Sequence, residues 1–498
     1  MMPRHSVRRS SISCLRRGAP AFLVAVLANG HAPLVAQGAP TPPVDVGGFA
    51  VSGSFRTRLE SWNWFGNSPS GTYTYPGSLF RVAVGQTTQA RDWQIEFALP
   101  ILLGLPEQPL GTGPQGLGGS YFIANDRSSK AAMLFVKQVF VRFKDLGGTE
   151  GQSLKVGRME FFDGAEVSPK NATLAALKRD RVAARLLANF GFTHVQRSLD
   201  GVQYAVDRPT MSVTILAARP TRGVFQVDGW GELDVNVFYS AVTGQLGEAA
   251  HAGEWRVFGL GYNDYRDGIV KTDNRPLAAR QADKNHVNIG TLGGHYLRAI
   301  ETRSGPIDLL VWGTAQTGSW GDLAHRAGAL VAEAGWQPKA ALAPWIRGGF
   351  DYASGDNDWN DTTHGTFFQV LPTPRLYARF PFFNMMNTAD AFGELMLRPS
   401  KRLVVRIDIH SLRLANGNDL WYQGGGAFQS TTFGYIGQPA NGRRGLATLY
   451  DASADIAVSP RVAVTGYYGY GAGGPATAAS YPTNNSAVLA YIELLLRF

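Results

Sequence analysis

From Phe49 onward the chain alternates apolar and polar side chains in runs of roughly ten residues. Phe49, Val51, Phe55, Thr57 and Leu59 fall on one face of an extended strand, and Ser52, Ser54, Arg56, Arg58 and Glu60 fall on the other. Leu403, Val405, Ile407 and Ile409 likewise alternate with Val404, Arg406, Asp408 and His410. At the far end Val488, Ala490, Ile492, Leu494, Leu496 and Phe498 oppose Tyr491, Glu493 and Arg497. A strand of this length and period crosses a bilayer with one face toward lipid and the other toward a lumen. About 18 such runs can be placed between residue 48 and the end of the sequence. Links after even-numbered runs are mostly short (88–91, 207–209, 303–304, 337–339, 398–400, 459–460), and those after odd-numbered runs are mostly long (104–130, 162–195, 267–284, 355–387, 415–445, 471–485). Two places break this parity: 242–252 is long where a turn is expected, and 319–323 is short where a loop is expected. Trp62, Trp64 and Phe65 close the first run and are expected in an aromatic girdle at the membrane boundary. The pattern predicts an all-β protein. The expected architecture is a transmembrane antiparallel β-barrel of about 18 strands, with long external loops and short periplasmic turns. Closure follows because an open sheet edge has no hydrogen-bond partner in hydrocarbon.

Composition agrees. The 498 residues include 59 glycines, 17% charged and 11% aromatic residues, and no run of about 18 apolar residues follows the first 40 positions. Those first positions have their own pattern. Arg4, Arg8, Arg9, Arg16 and Arg17 precede an apolar stretch, Ala19 to Ala28, and the small residues Ala36, Gly38 and Ala39. This reads as a signal peptide over 1–38, with the barrel over 39–498 and the outer membrane of a double-membraned bacterium as its destination. Its removal takes away five arginines and no acid, so the formal charge falls from +9 to +4. It also takes the single cysteine, Cys14, which excludes thiol catalysis and cysteine-ligated zinc from the mature chain.

Several segments carry a resemblance. Leu154-Lys155-Val156-Gly157-Arg158-Met159-Glu160-Phe161, Arg197-Ser198-Leu199-Asp200-Gly201-Val202 and Tyr352-Ala353-Ser354-Gly355-Asp356 stand in order, followed by His364-Gly365-Thr366-Phe367 and Leu371-Pro372-Thr373. Together they resemble the bacterial alginate export family of outer-membrane proteins, over nearly all of the mature chain. The resemblance implies a pore lined by arginines that passes an anionic polysaccharide or a small organic anion by diffusion, without catalysis.

Arg56, Arg58, Arg142, Arg158 and Arg406 are the candidate pore-lining cations, with Asp408 and His410 on the same path. Guanidinium keeps its charge at any working pH and grips carboxylates in a fork. The alternative is a wall whose Arg and Asp/Glu residues neutralise one another, for which Glu60, Glu160, Asp408 and Glu493 are available. Asn171 to Asn189 is helix-like: Leu174, Leu177, Val182, Leu186 and Leu187 would pack inward, while Lys178, Arg179, Arg181 and Arg185 would face a constriction or gate. A helix lying over the barrel mouth fits the same pattern. Asp356, Asp358 and Asn360 alternate like the first ligands of a calcium loop, although Asp361 and Phe367 stand where Gly and Glu belong. No other cofactor is expected. A general diffusion porin is the rival transport reading. An outer-membrane hydrolase using Asp408 and His410 is the rival from another class. Expected partners are outer-membrane lipid and lipopolysaccharide, the barrel-assembly machinery and the anionic solute, with no nucleic acid and a monomeric state.

Overall fold

The computed structural model describes residues 42–247, 252–373 and 378–498; the expected signal peptide and Cys14 lie outside them. Eighteen long strands make up the wall among the described residues. The first six are β1 (Phe49–Asn63), β2 (Thr72–Thr87), β3 (Arg91–Leu102), β4 (Phe135–Lys144), β5 (Gln152–Met159) and β6 (Leu199–Asp207). The next six are β7 (Met211–Pro220), β8 (Val235–Leu246), β9 (Gly253–Asp264), β10 (Val287–Ile300), β11 (Ile307–Trp320) and β12 (Leu323–Trp336). The last six are β13 (Trp345–Ala353), β14 (Thr388–Ser400), β15 (Leu403–Leu414), β16 (Gly445–Ser459), β17 (Val462–Gly473) and β18 (Ser486–Arg497). Each pairs antiparallel with the next, and β1 pairs with β18 from Ser54↔Arg497 to Asn63↔Val488, which closes the barrel. Tyr491 and Glu493 face inward at 3% and 2% exposure while Ile492 between them is 66% exposed, the two-residue period of a lipid-facing strand.

The turn parity holds, and its two exceptions have local causes. Strand β8 continues to Leu246, so the long link expected at 242–252 shortens to 247–252. Between β11 and β12 the chain reverses on Gly321 and Asp322, with Gly321 at φ +63. A Cβ on Gly321 would collide with the Asp283 carboxylate, so this turn needs glycine for space as well as for its backbone angle.

The aromatic girdle expected at Trp62, Trp64 and Phe65 is corrected by the structure. Trp62 shares the inward parity of Arg58 and Glu60 and donates its Nε1–H to Glu60 Oε2 at 3.0 Å. Phe65 meets Phe382 and Trp421 edge-on, both at 5.6 Å. These rings are buried inside the barrel and hold segments of the long loops that fold back into it.

Candidate functional site

Residues 160–198, which join β5 to β6, turn into the lumen. Asn171 starts a helix there, Ala172–Arg181, its Oδ1 accepting the Leu174 N–H at 3.0 Å. The helix expected to run to Asn189 ends at Arg181. Beyond it Ala184 takes a φ of +72°, and Asp163 Oδ1 accepts the N–H groups of Leu186 and Leu187 at 2.9 and 2.8 Å. Leu187 also bridges in parallel to Leu371. A buried carboxylate and an extended partner give these donors better acceptors than another helical turn would. Residues 181–199 are all buried, so this segment is a plug rather than a cover over the mouth.

Its charges meet the wall on several sides. Lys178 pairs with Glu254 at 2.6 Å. Arg181 and Arg185 both reach Glu333, at 2.9 and 3.4 Å, with Asp351 near 4 Å from each. Arg347 joins from the wall, reaching Glu333 at 3.4 Å and pairing with Asp308. Arg179 differs: it pairs with its neighbour Asp180 and keeps a half-exposed side chain.

On the arc β1–β4 the wall presents cations to this plug. Arg56 donates to Gly191 O at 2.7 Å and also to Thr193 O, and its nearest carboxylate, Glu493, is 3.8 Å away. Arg58 binds Glu60 and Glu493 at 2.8 and 3.2 Å, donates to Phe192 O and lies 3.6 Å over the Phe192 ring. Arg81 grips Glu96 and reaches Glu160 at 3.2 Å. Lys137 reaches Glu160 at 3.3 Å and donates to Arg197 O at 2.7 Å. Arg197 itself is buried and gives its guanidinium to the carbonyls of Ala427 and Gly425. Among the described residues no carboxylate comes within ion-pairing distance of it.

On the arc β14–β16, which only β17 and β18 separate from β1, acids predominate. Arg406 pairs with Asp408 at 2.7 Å and Glu394 at 2.8 Å. His410 Nδ1 contacts Asp390 Oδ2 at 2.8 Å, so the acid–imidazole pair involves Asp390 rather than Asp408. Arg379, from the plug segment before β14, reaches Asp455 at 3.3 Å.

Of the two other expected pore arginines, Arg142 keeps the inward face near the turn end of the barrel and Arg158 does not. Arg142 pairs with Asp92 at the turn end, where a cavity of about 600 Å³ is lined by Lys155, Glu160 and Glu166 among others. Arg158 points outward, a correction forced by register. It stands opposite Val139, which is 43% exposed, and Asp200, with which it pairs at 2.7 Å. Its remaining N–H groups clasp the carbonyls of Val136, Gly229 and Trp230.

The acidic loop at the other rim makes turns. Asp356 Oδ1 accepts the Asp358 N–H and Asp358 Oδ1 accepts the Asn360 N–H, both at 3.0 Å, and Asp361 repeats the motif with Thr363. These are successive Asx turns, with each engaged oxygen turned to its own backbone rather than toward a shared ion. Asn357, Asp358 and Trp359 line an outer cavity of about 880 Å³ with Arg275, Arg280 and Tyr435. Asp419 on its wall accepts the Asp356 N–H at 2.9 Å and the Tyr422 hydroxyl at 2.8 Å, while burial pushes its carboxyl up to about 6.

Arg81, Lys137, Arg197, Arg347 and Arg379 belong to the site beyond the sequence candidates. Arg81 was legible in the alternation of β2. Lys137 was not, because a register shift between Glu96 and Phe97 brings both Lys137 and Gln138 inward. Arg197 precedes its strand and carries no periodicity signal.

The architecture has solved counterparts of very low identity. The outer-membrane protein OpdK of Pseudomonas aeruginosa superposes with a TM-score of 0.54 at 6% identity, covering 90% of this chain and 98% of that one. OccK9 (OpdG) of the same organism gives 0.55 at 9%, with the same coverage. OccK2 (OpdF), also from Pseudomonas aeruginosa and solved in complex with glucuronate, gives 0.52 at 8%, covering 90% and 96%. Such likeness establishes a shared barrel fold. No curated protein matches this sequence. The alginate export family model matches residues 111–473, from the loop before β4 through β17, and so takes in most of the wall and all of the plug. By that match the chain belongs to the alginate export family of outer-membrane β-barrels.

Proposed function

We propose that the protein is a monomeric outer-membrane channel passing an anionic saccharide or a small organic anion by diffusion along the β1–β4 side of the plug. The observation that carries this reading is a buried guanidinium, Arg197, without a carboxylate at ion-pairing distance. Arg197 is satisfied by backbone carbonyls, whereas neighbouring Arg56 has Glu493 at 3.8 Å. Carbonyl oxygens satisfy N–H groups without cancelling formal charge, so one fixed positive charge remains in a low-dielectric bore. Such a charge concentrates anions beside it. The glucuronate bound to OccK2 is a carboxylate, as is each unit of a polyuronate, and a carboxylate suits the guanidinium fork.

The test is single-channel conductance in a planar bilayer under a salt gradient, followed by titration with oligouronates. The expected result is anion-selective current, blocked by the oligouronate, with Arg197→Gln lowering the anion-to-cation permeability ratio by about tenfold. Unselective, unblocked current would make the protein a general diffusion porin. No current from a folded, heat-modifiable barrel would overturn the channel.

A further inference from the structure

The acidic arc holds a constellation that conduction does not require. Asp408 and His410 on β15 and Asp451 on β16 each offer a ligand atom, and these atoms lie within 4.8 Å of one another. All three residues are at most 3% exposed. The register explains the grouping: Asp408 stands directly opposite Asp451, and His410 follows Asp408 on the same face. The imidazole is already oriented, since Nδ1 is held by Asp390 at 2.8 Å and Nε2 is left without a hydrogen-bond partner. Asp408 Oδ1 likewise has none, while Arg406 holds Oδ2. Asp390 Oδ1 on β14 and Ser453 Oγ on β16 are two further buried atoms without partners, whereas the Asp451 oxygens accept from the Tyr467 hydroxyl and the Arg379 N–H.

Charge points the same way. Among the described residues of this patch, five carboxylates (Asp390, Glu394, Asp408, Asp451, Asp455) face three guanidiniums, Arg379, Arg406 and, from the plug over Phe392, Arg181. A buried excess of negative charge is costly unless a cation or proton compensates it.

We infer that Asp408, His410 and Asp451 form a divalent transition-metal site, with zinc as the fitting ion, in the lumen wall. Imidazole with carboxylates is a zinc donor set, and a carboxylate holding the far ring nitrogen is the usual outer-shell support. Ligands on one tetrahedral zinc stand about 3.4 Å apart, so from within 4.8 Å side-chain rotation must close the widest pair by up to about 1.4 Å. Asp390 is the positioning residue. The ion would tie β15 to β16 and offset the acid excess beside the plug.

The experiment uses the folded barrel in detergent, stripped with EDTA, dialysed against Zn2+ and assayed for bound metal and by calorimetry. About one zinc per chain is expected, falling to background in His410→Gln and in Asp451→Asn. In Asp390→Asn the stoichiometry should persist while affinity weakens about 10- to 100-fold. Heat-modifiable mobility on gels reports that each variant is folded. Wild-type protein binding no zinc, a folded His410→Gln binding it unchanged, or Ca2+ binding more tightly than Zn2+ would overturn the site. Bound metal is read without any current, so this result stands or falls apart from the channel reading.

Discussion

The two arcs of the lumen wall use the same alternation and reach opposite electrostatic outcomes. On β1–β4 the plug arrives as backbone, through the carbonyls of Gly191, Phe192, Thr193 and Arg197, which take N–H groups from Arg56, Arg58 and Lys137. On β14–β16 it arrives as donors, with the Arg379 N–H given to Asp451 and its guanidinium set against Asp455. A carbonyl adds hydrogen bonds to a cation without adding negative charge, so Arg56, Arg58 and Lys137 owe their neutralisation to acids on or next to the wall strands, whereas Arg379 brings a positive charge to the acids of β16. What the plug offers to each arc, as well as what the wall carries, sets the local balance of charge.

That contrast can be broken most forcefully at Arg58. Replacing it by Ala leaves Glu60 and Glu493 buried with their main cation gone. This should destabilise the barrel by about 3–5 kcal/mol, read from the urea midpoint of its heat-modifiable form. A smaller effect sharpens the acidic side. Asp455→Asn frees the charge of Arg379, so the reversal potential in a salt gradient should move toward anions, by roughly threefold in permeability ratio. A cation shift would mean that Arg379 does not face the conducting path. The smallest effect tests whether the plug is held locally. Asn171→Ala removes the helix cap, worth about 1 kcal/mol, and should speed amide exchange over Ala172–Arg181 about fivefold.

The wall was legible because period-two alternation is backbone geometry: Arg56, Arg58 and Glu60 face inward wherever the strand lies. The aromatics after them were not, since a ring in lipid and a ring in a plugged lumen look alike in sequence. Arg158 shows the limit of strand patterns. Its segment is short and rich in charge, and only the pairing with Val139 and Asp200 fixes its face. The inward loop was readable as a helix start at Asn171. Its ending was not, because the acceptors that stop it, Asp163 and Leu371, come from elsewhere in the fold.

Arg58 also sits at the seam. Glu493, one of its partners, lies 435 positions away on β18, and Phe192 belongs to the plug. Neighbouring strands of the wall can zip up one hairpin after another, but the seam brings together the two extremes of the barrel sequence, the contact with the largest loop-closure cost. The same side chain that spans the seam also holds Phe192 of the deeply buried segment 181–199. Closing the wall and seating the plug are therefore coupled through one residue, and the Arg58 cluster is complete only when both are done.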